Sequence, residues 1–120
     1  MKVLVVEDSK TMRMIIKHLL DDIGVTDVEE AANGMEALTA LVNTRFDLII
    51  MDVHMPEMDG VELLDKIKAS THDETPLIVV TSDSDHRTID KMRDAGASAY
   101  VTKPFTKEKL ATTIKLVCGT

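Results

Sequence analysis

The chain has 120 residues, a formal net charge of −7, a single cysteine (Cys118) and three aromatic side chains. This length fits one domain of ordinary size, one cysteine excludes an internal disulfide, and an acidic chain without a basic run does not favour nucleic-acid binding. The apolar run at the N-terminus is too short for a signal peptide and no stretch is long enough to span a bilayer, so we expect a cytoplasmic protein without membrane insertion.

Five short apolar runs follow one another along the chain. They cover Val3–Val6, Val28–Ala32, Leu48–Met51, Leu77–Val80 and Ala99–Val101. The first, third and fourth runs are apolar throughout, which is typical of strands that are covered on both faces. The second run is a weaker strand signal because it carries Glu29 and Glu30.

Segments with helical spacing lie after each run. Their apolar stripes are Met12, Ile15, Ile16, Leu19, Leu20 and Ile23, then Leu38, Leu41 and Val42, then Gly60, Leu63, Leu64 and Ile67, then Ile89 and Met92, and finally Leu110, Ile114 and Val117. Cys118 follows the last stripe, where a buried or half-buried small residue is expected. Strict alternation of strands and helices predicts one α/β domain over residues 1–120, with a parallel sheet and helices on both faces.

Polar residues stand at the ends of four of these runs. In chain order they are Glu7 and Asp8, Asp52, Thr81 and Ser82, and Lys103 followed by Pro104. Ligands of such sheets bind beyond the carboxyl ends of the strands, so these side chains are expected to converge there. Three close carboxylates repel one another, and the charge of a divalent cation relieves that repulsion. Mg²⁺ suits the site because it prefers oxygen ligands. Asp52 is then a candidate nucleophile, with the lysine as a second cation and the threonine as a hydroxyl donor.

Taken singly, each of these residues also has a purely structural explanation. Glu7 and Asp8 fit the start of a helix about as well as a functional site, because acids favour helix N-termini. Asp52 fits a strand terminator almost as well, Thr81 fits a turn or a helix cap, and Lys103 fits a solvated turn. The combination of all four positions at strand ends is what favours a shared site.

The same residues resemble the receiver domain of bacterial response regulators over essentially the whole chain. The motifs that carry the resemblance are Glu7–Asp8, the run Asp-Val-His-Met-Pro over 52–56 with Asp59–Gly60, Thr81–Ser82, and Lys103-Pro104-Phe105. Residues 11–13 and 95–98 are most similar to stand-alone chemotaxis regulators within that family. The resemblance implies a flavodoxin-like (βα)5 three-layer sandwich with five parallel strands in the order 2-1-3-4-5.

The resemblance also implies a role for each site residue. Asp52 is expected to be the phosphoacceptor, with Mg²⁺ held by its carboxylate, by those of Glu7 and Asp8, and by the backbone carbonyl of His54. Phosphoryl oxygens are expected to contact the Lys103 ammonium, the Thr81 hydroxyl and the backbone N–H of Ser82. Many family members have Asp where this chain has Glu7, which should change the metal geometry only slightly.

Further implied features concern switching and the lifetime of the phosphate. Thr81 and Tyr100 match the family's switch pair, which alters a face made by the fourth helix, the fifth strand and the fifth helix. The Lys103–Pro104 bond is cis in the family, which aims the lysine into the site. His54 and Asp83 occupy positions that influence how long the phosphate lasts.

The resemblance therefore predicts a signalling switch of a two-component system. A sensor histidine kinase phosphorylates Asp52, and the altered face binds a downstream protein such as the flagellar motor or another signalling protein, without direct nucleic-acid contact. The domain would assist its own phosphorylation and dephosphorylation but would turn over no external metabolite. Met1 at the start and a helix ending near Gly119 favour a natural single domain, and a fragment of a longer regulator stays open as an alternative.

Three other functions are open to test. A haloacid dehalogenase phosphatase also uses an Asp nucleophile and Mg²⁺, but it places Asp-x-Asp after its first strand, whereas here the candidate Asp52 follows the third run and no Asp-x-Asp starts there. A flavodoxin-like nucleotide-binding module needs a loop that cradles phosphate, whereas residues 7–11 contain no glycine and begin with two acids. A receiver-like interaction module that works without phosphorylation is the third, and the intact residue set argues against it.

Overall fold

The computed structural model describes residues 1–52, 60–69, 74–81 and 86–119. Strands and helices alternate along the chain in this order: β1 (Lys2–Val6), α1 (Lys10–Asp22), β2 (Asp27–Ala31), α2 (Gly34–Asn43), β3 (Leu48–Asp52), α3 (Gly60–Lys68), β4 (Leu77–Thr81), α4 (His86–Asp94), β5 (Ala99–Thr102) and α5 (Lys107–Cys118). The five strands form one sheet in the order β2-β1-β3-β4-β5, and every neighbouring pair is parallel. The predicted flavodoxin-like α/β fold is confirmed.

The three central strands are covered on both faces, as their continuous apolar sequences predict. Every residue of β3 and β4 is buried, and so are the last four residues of β1. Because successive strand side chains point to opposite faces, the sheet divides the core in two. Leu4 and Ile49 pack with α2, α3 and α4 on one face, whereas Val5 and Ile50 pack with α1 and α5 on the other.

Two predicted stripe positions lie outside the core. Ile15 is 46% exposed in α1 and Val42 is 84% exposed in α2. Each helix packs on the sheet along one side only, so Ile16 and Leu41 take the buried positions next to them. Cys118 is half-buried as predicted, and burial raises the pKa of its thiol.

Strand β2 lies at an edge of the sheet, which explains its charged sequence. Only Ala31 is buried in it. Lys2 on the neighbouring strand lies 4.0 Å from a carboxylate oxygen of Asp27 and 3.8 Å from one of Glu29. An edge strand tolerates such residues because one side of its backbone faces solvent.

The strand register brings the polar strand ends to one level. Val6 pairs with Met51, so the residue after β1 stands beside Asp52, the last residue of β3. Asp52 in turn pairs with Val80, which places Thr81 one step further along β4. No helix in the described part of the chain combines the length and the apolar character that a bilayer crossing requires.

Candidate metal centre

Three carboxylates meet at the carboxyl ends of β1 and β3. Ligand oxygens of Glu7, Asp8 and Asp52 lie within 4.8 Å of one another. Glu7 is 2% exposed and Asp52 is 7% exposed, while Asp8 faces solvent. An all-oxygen ligand set with one open side suits Mg²⁺, which prefers oxygen ligands and retains several waters.

Lys103 brings a positive charge to the same place. Its Nζ lies 3.1 Å from Oε1 of Glu7, as a hydrogen bond, and 3.6 Å from Oδ2 of Asp52. The Lys103 side chain is only 18% exposed, so the lysine belongs to the site and not to a solvated turn. The Lys103–Pro104 peptide bond is cis, as the family resemblance implied.

One lysine does not balance this much negative charge. The pKa of Glu7 is raised from 4.5 to about 7, chiefly by burial, and also by a hydrogen bond with Asp8 and by the charge of Asp52. The backbone N–H of Ser9 and the Lys103 ammonium act in the opposite direction. A divalent cation would supply the missing positive charge, so the residues present fit Mg²⁺ in charge as well as in ligand type.

The acids do not serve as the cap of α1. Ser9 is the N-cap, and its Oγ accepts a hydrogen bond from the Met12 N–H at 3.2 Å. The first turn of α1 contains no acidic residue. The Oε2 of Glu7 accepts the Ser9 N–H at 3.2 Å, which orients that carboxylate inside the loop. The cap of α1 is therefore Ser9 and neither of the two acids.

Thr81 and Tyr100 lie on neighbouring strands at different depths. Thr81 ends β4, is 1% exposed, and its carbonyl accepts the Lys103 N–H at 2.7 Å. Tyr100 of β5 pairs in register with Val79 of β4 and is 44% exposed. It lines an open cleft of about 630 Å³ that α4, β5 and α5 enclose.

Three predicted site residues lie outside the described residues. They are His54, with its backbone carbonyl as a metal ligand, Ser82, with its N–H as a phosphoryl contact, and Asp83. Their roles stay predictions from the family resemblance.

Sequence reasoning missed Arg13, which contacts this site from outside, and Glu30, which pairs with Arg13. Nη1 of Arg13 donates to the Glu7 carbonyl at 2.7 Å and lies 3.4 Å from that of Asp8. Nε of Arg13 donates to Oε1 of Glu30 at 3.1 Å. In the sequence, Glu30 was considered only as a charge that weakens the second strand pattern. The signal that could have identified the pair was Arg13, five residues after the acidic pair Glu7–Asp8, together with an acid, Glu30, on a weak strand.

Comparisons with known proteins find a family model and relatives that match most or all of this chain. A family model described as the response regulator receiver domain matches residues 3–115. The chemotaxis protein CheY1 of Helicobacter pylori is 40% identical over 122 residues, which cover 100% of this chain and 98% of that protein. The chemotaxis protein CheY-3 of Vibrio cholerae is 39% identical over 115 residues, which cover 92% of this chain and 88% of that protein.

Solved structures agree with the sequence relatives. The chemotaxis protein CheY4 of Vibrio cholerae superposes with a TM-score of 0.89 at 38% identity, covering 97% of each chain. The receiver domain of sensor histidine kinase PA1611 from Pseudomonas aeruginosa, which has a magnesium ion coordinated in its active site cleft, superposes with a TM-score of 0.90 at 27% identity. That match covers 99% of this chain and 98% of the other.

Proposed function

The chain belongs to the response regulator receiver family, and we propose on that premise that Asp52 accepts a phosphoryl group and thereby switches a partner-binding face. The buried Asp52 carboxylate carries the proposal. It is 7% exposed, stands at the end of a central strand, and has a lysine and two further acids beside it. Burying charges in this way stabilises a fold little, so a chemical role accounts for it better than a structural one.

The phosphoryl group comes from a phosphohistidine of a sensor histidine kinase. An Asp52 carboxylate oxygen attacks the phosphorus, so that a P–O bond forms as the P–N bond to the imidazole breaks. The electron pair of that bond stays on the imidazole nitrogen, which takes up a proton. Glu7 and Asp8 would hold Mg²⁺ together with Asp52, and the bound ion supplies positive charge to the phosphoryl oxygens.

Lys103 and Thr81 act on the phosphoryl group directly. The Lys103 ammonium already lies 3.6 Å from Asp52 and attracts a phosphoryl oxygen without rearranging the site. The Thr81 hydroxyl, one register step beyond the strand partner of Asp52, donates to a second oxygen. Because Glu7 and Asp52 already hold the Lys103 ammonium, its charge is in place before the phosphoryl group arrives.

Signal output follows from the movement of Thr81 toward the phosphoryl group. That movement opens space on the sheet into which Tyr100 turns from its half-exposed position. The cleft between α4, β5 and α5 changes shape as a result, and with it the affinity for a partner protein. The identity to relatives named as chemotaxis proteins supports a chemotactic partner, such as the flagellar motor, for a cytoplasmic domain of this kind.

The proposal is tested by the intact mass of the protein after incubation with acetyl phosphate and Mg²⁺. We expect a phosphoryl adduct that is absent from Asp52→Asn and absent when EDTA removes the metal. Asp52→Asn is a matched control because it keeps the shape of the side chain and replaces the carboxylate, which is both the nucleophile and one of the proposed Mg²⁺ ligands, with an amide.

Absence of an adduct under rapid quenching leads to a second donor, a phosphorylated histidine kinase. Failure with both donors contradicts the phosphoacceptor role and makes a phosphate-independent interaction module the better explanation. Multiple turnovers of a phosphate ester would instead point to a phosphatase.

A further inference from the structure

Arg13 connects the metal ligands to a strand that carries no ligand. We propose that Arg13 is a positioning residue, whose guanidinium, anchored on Glu30, fixes the backbone of the Glu7–Asp8 pair and so sets the affinity for Mg²⁺. The proposal rests on the Mg²⁺ site of the proposed function and adds a residue that contacts neither the ion nor the phosphoryl group.

Residues 7–9, which carry two of the proposed metal ligands, are called the ligand loop. Arg13 contacts this loop through backbone carbonyls. Nη1 of Arg13 donates to the carbonyl of Glu7 at 2.7 Å and is 3.4 Å from that of Asp8. On the other side of the same residue, the Glu7 N–H donates to the Ala31 carbonyl at 3.0 Å. Both backbone groups of Glu7 are thus held, and the loop has little freedom to rotate its carboxylate out of the site.

The anchor is an ion pair with the neighbouring strand. Nε of Arg13 lies 3.1 Å from Oε1 of Glu30, which pairs in register with Val5 on β1. The Arg13 side chain is 15% exposed, so solvent screens this pair only in part. Hydrogen bonds from Lys17 and Arg13 hold the pKa of Glu30 below its usual value.

The chemistry of the guanidinium suits this task. Its planar fork donates from Nε to one partner and from Nη1 to another along fixed directions. A lysine has one flexible ammonium and cannot hold the carboxylate and both carbonyls in the same geometry. Partners that orient metal ligands typically change metal affinity by about 10–100-fold when they are removed.

A role through charge alone and a positioning role predict opposite changes in Mg²⁺ affinity when Arg13 is removed, so a measurement of that affinity distinguishes them. Arg13 is a cation near a cation site, so its removal should tighten Mg²⁺ binding if only charge matters. If it positions the loop, removal should weaken binding despite the lost repulsion. Lys17 offers a matched control, because its Nζ lies 3.1 Å from the other oxygen of Glu30 and no contact to the ligand loop accompanies it among the described side-chain bonds.

The test compares wild type with Arg13→Gln, Arg13→Lys, Glu30→Gln and Lys17→Gln. Mg²⁺ affinity is measured by calorimetric titration, thermal unfolding of the metal-free proteins reports stability, and amide NMR spectra of the metal-free proteins report the conformation of residues 7–9. We expect Arg13→Gln to bind Mg²⁺ roughly tenfold more weakly, with shifted amide signals at 7–9. Arg13→Lys should recover part of that loss, Glu30→Gln should show a smaller loss, and Lys17→Gln should bind as wild type or more tightly.

Each contrary result has a distinct meaning. Wild-type or tighter binding by Arg13→Gln overturns the positioning role and leaves the proposed switch intact. Equal weakening in Lys17→Gln also overturns it, because that pattern reports a general effect of the Glu30 charge cluster. If Arg13→Gln fails to fold, Glu30→Gln decides, and unchanged affinity there rejects the anchor. Failure of wild type itself to bind Mg²⁺ rejects the metal site of the proposed function, while the NMR comparison still tests whether Arg13 holds the loop.

Discussion

The carboxyl edge of the sheet, formed by Glu7, Asp8, Asp52, Thr81 and Lys103, differs in packing from the switch face formed by α4, β5 and α5. At the carboxyl edge Glu7, Asp52 and Thr81 are at most 7% exposed. On the switch face Tyr100 is 44% exposed and Leu116 is 78% exposed, beside an open cleft of about 630 Å³.

The difference fits the roles proposed for the two regions. Stabilising charge that develops on a phosphoryl group requires polar groups that are already fixed, because reorganising them would cost energy during the reaction. A face that changes its affinity for a partner needs side chains that can adopt a second arrangement, and such segments come from the less tightly packed parts of a fold. The two regions meet where Thr81 and Thr102 pair on neighbouring strands.

The largest expected effect comes from removing the cation of the carboxyl edge. Lys103→Met should slow adduct formation from acetyl phosphate on the order of 10²–10³-fold, the usual cost of losing one preorganised charge-stabilising donor. Mg²⁺ affinity should stay the same or increase, because a competing cation is lost. Lys115→Met on the exposed surface of α5 is the control, and the rate is followed by mass spectrometry.

A Lys103→Met variant that forms the adduct at the wild-type rate would contradict the distinction drawn between the carboxyl edge and the switch face. The fixed charge of Lys103 would then have no chemical role, and the half-buried lysine would serve the fold alone.

An intermediate effect concerns pH. The pKa of Glu7 is about 7 in the folded protein and 4.5 for an ordinary glutamate, so the folded state binds more protons between these values. The free energy of unfolding of the metal-free protein should therefore fall as pH rises from about 4.5 to about 7. Mg²⁺ should offset that fall, because it binds the ionised carboxylate of the folded state.

Urea unfolding with and without Mg²⁺ at about pH 5 and about pH 8 checks this dependence. Glu7→Gln cannot titrate, so its metal-free stability should lack the fall that Glu7 causes. In wild type the ionised fraction of Glu7, and with it the Mg²⁺ affinity, should decrease about tenfold from about pH 8 to about pH 6. Metal-free stability that rises across the window would contradict the raised pKa of Glu7.

The smallest expected effect is that of a substitution on the switch face, and it tests whether that face influences the chemistry of the carboxyl edge. Tyr100→Phe should form the adduct at the wild-type rate, because its hydroxyl belongs to the switch face and contacts none of the reacting groups. The same time course by mass spectrometry measures it, with Lys103→Met as the variant that must differ. A slowed Tyr100→Phe would show that the switch face feeds back on the chemistry of the carboxyl edge.

Much of the fold was predictable because its signals are local in the sequence. The apolar runs that became β1, β3 and β4 indicated burial on both faces, and the polar residue after each run indicated the reactive edge. The helical stripes were less exact, since Ile15 and Val42 continue an apolar pattern but face solvent. Spacing cannot say how much of a helix its neighbours will cover.

The sequence by itself determined the alternation of strands and helices, the residue types at the strand ends and the kind of metal they suit, because each depends on short stretches of chain. Only the tertiary structure decided the distances, since Glu7 and Lys103 are 96 residues apart and meet at 3.1 Å. The same holds for the raised pKa of Glu7, which burial produces, and for the bridge from Glu30 through Arg13 to the ligand loop. Burial and long-range contacts arise only when separate elements pack together, and no local pattern encodes them.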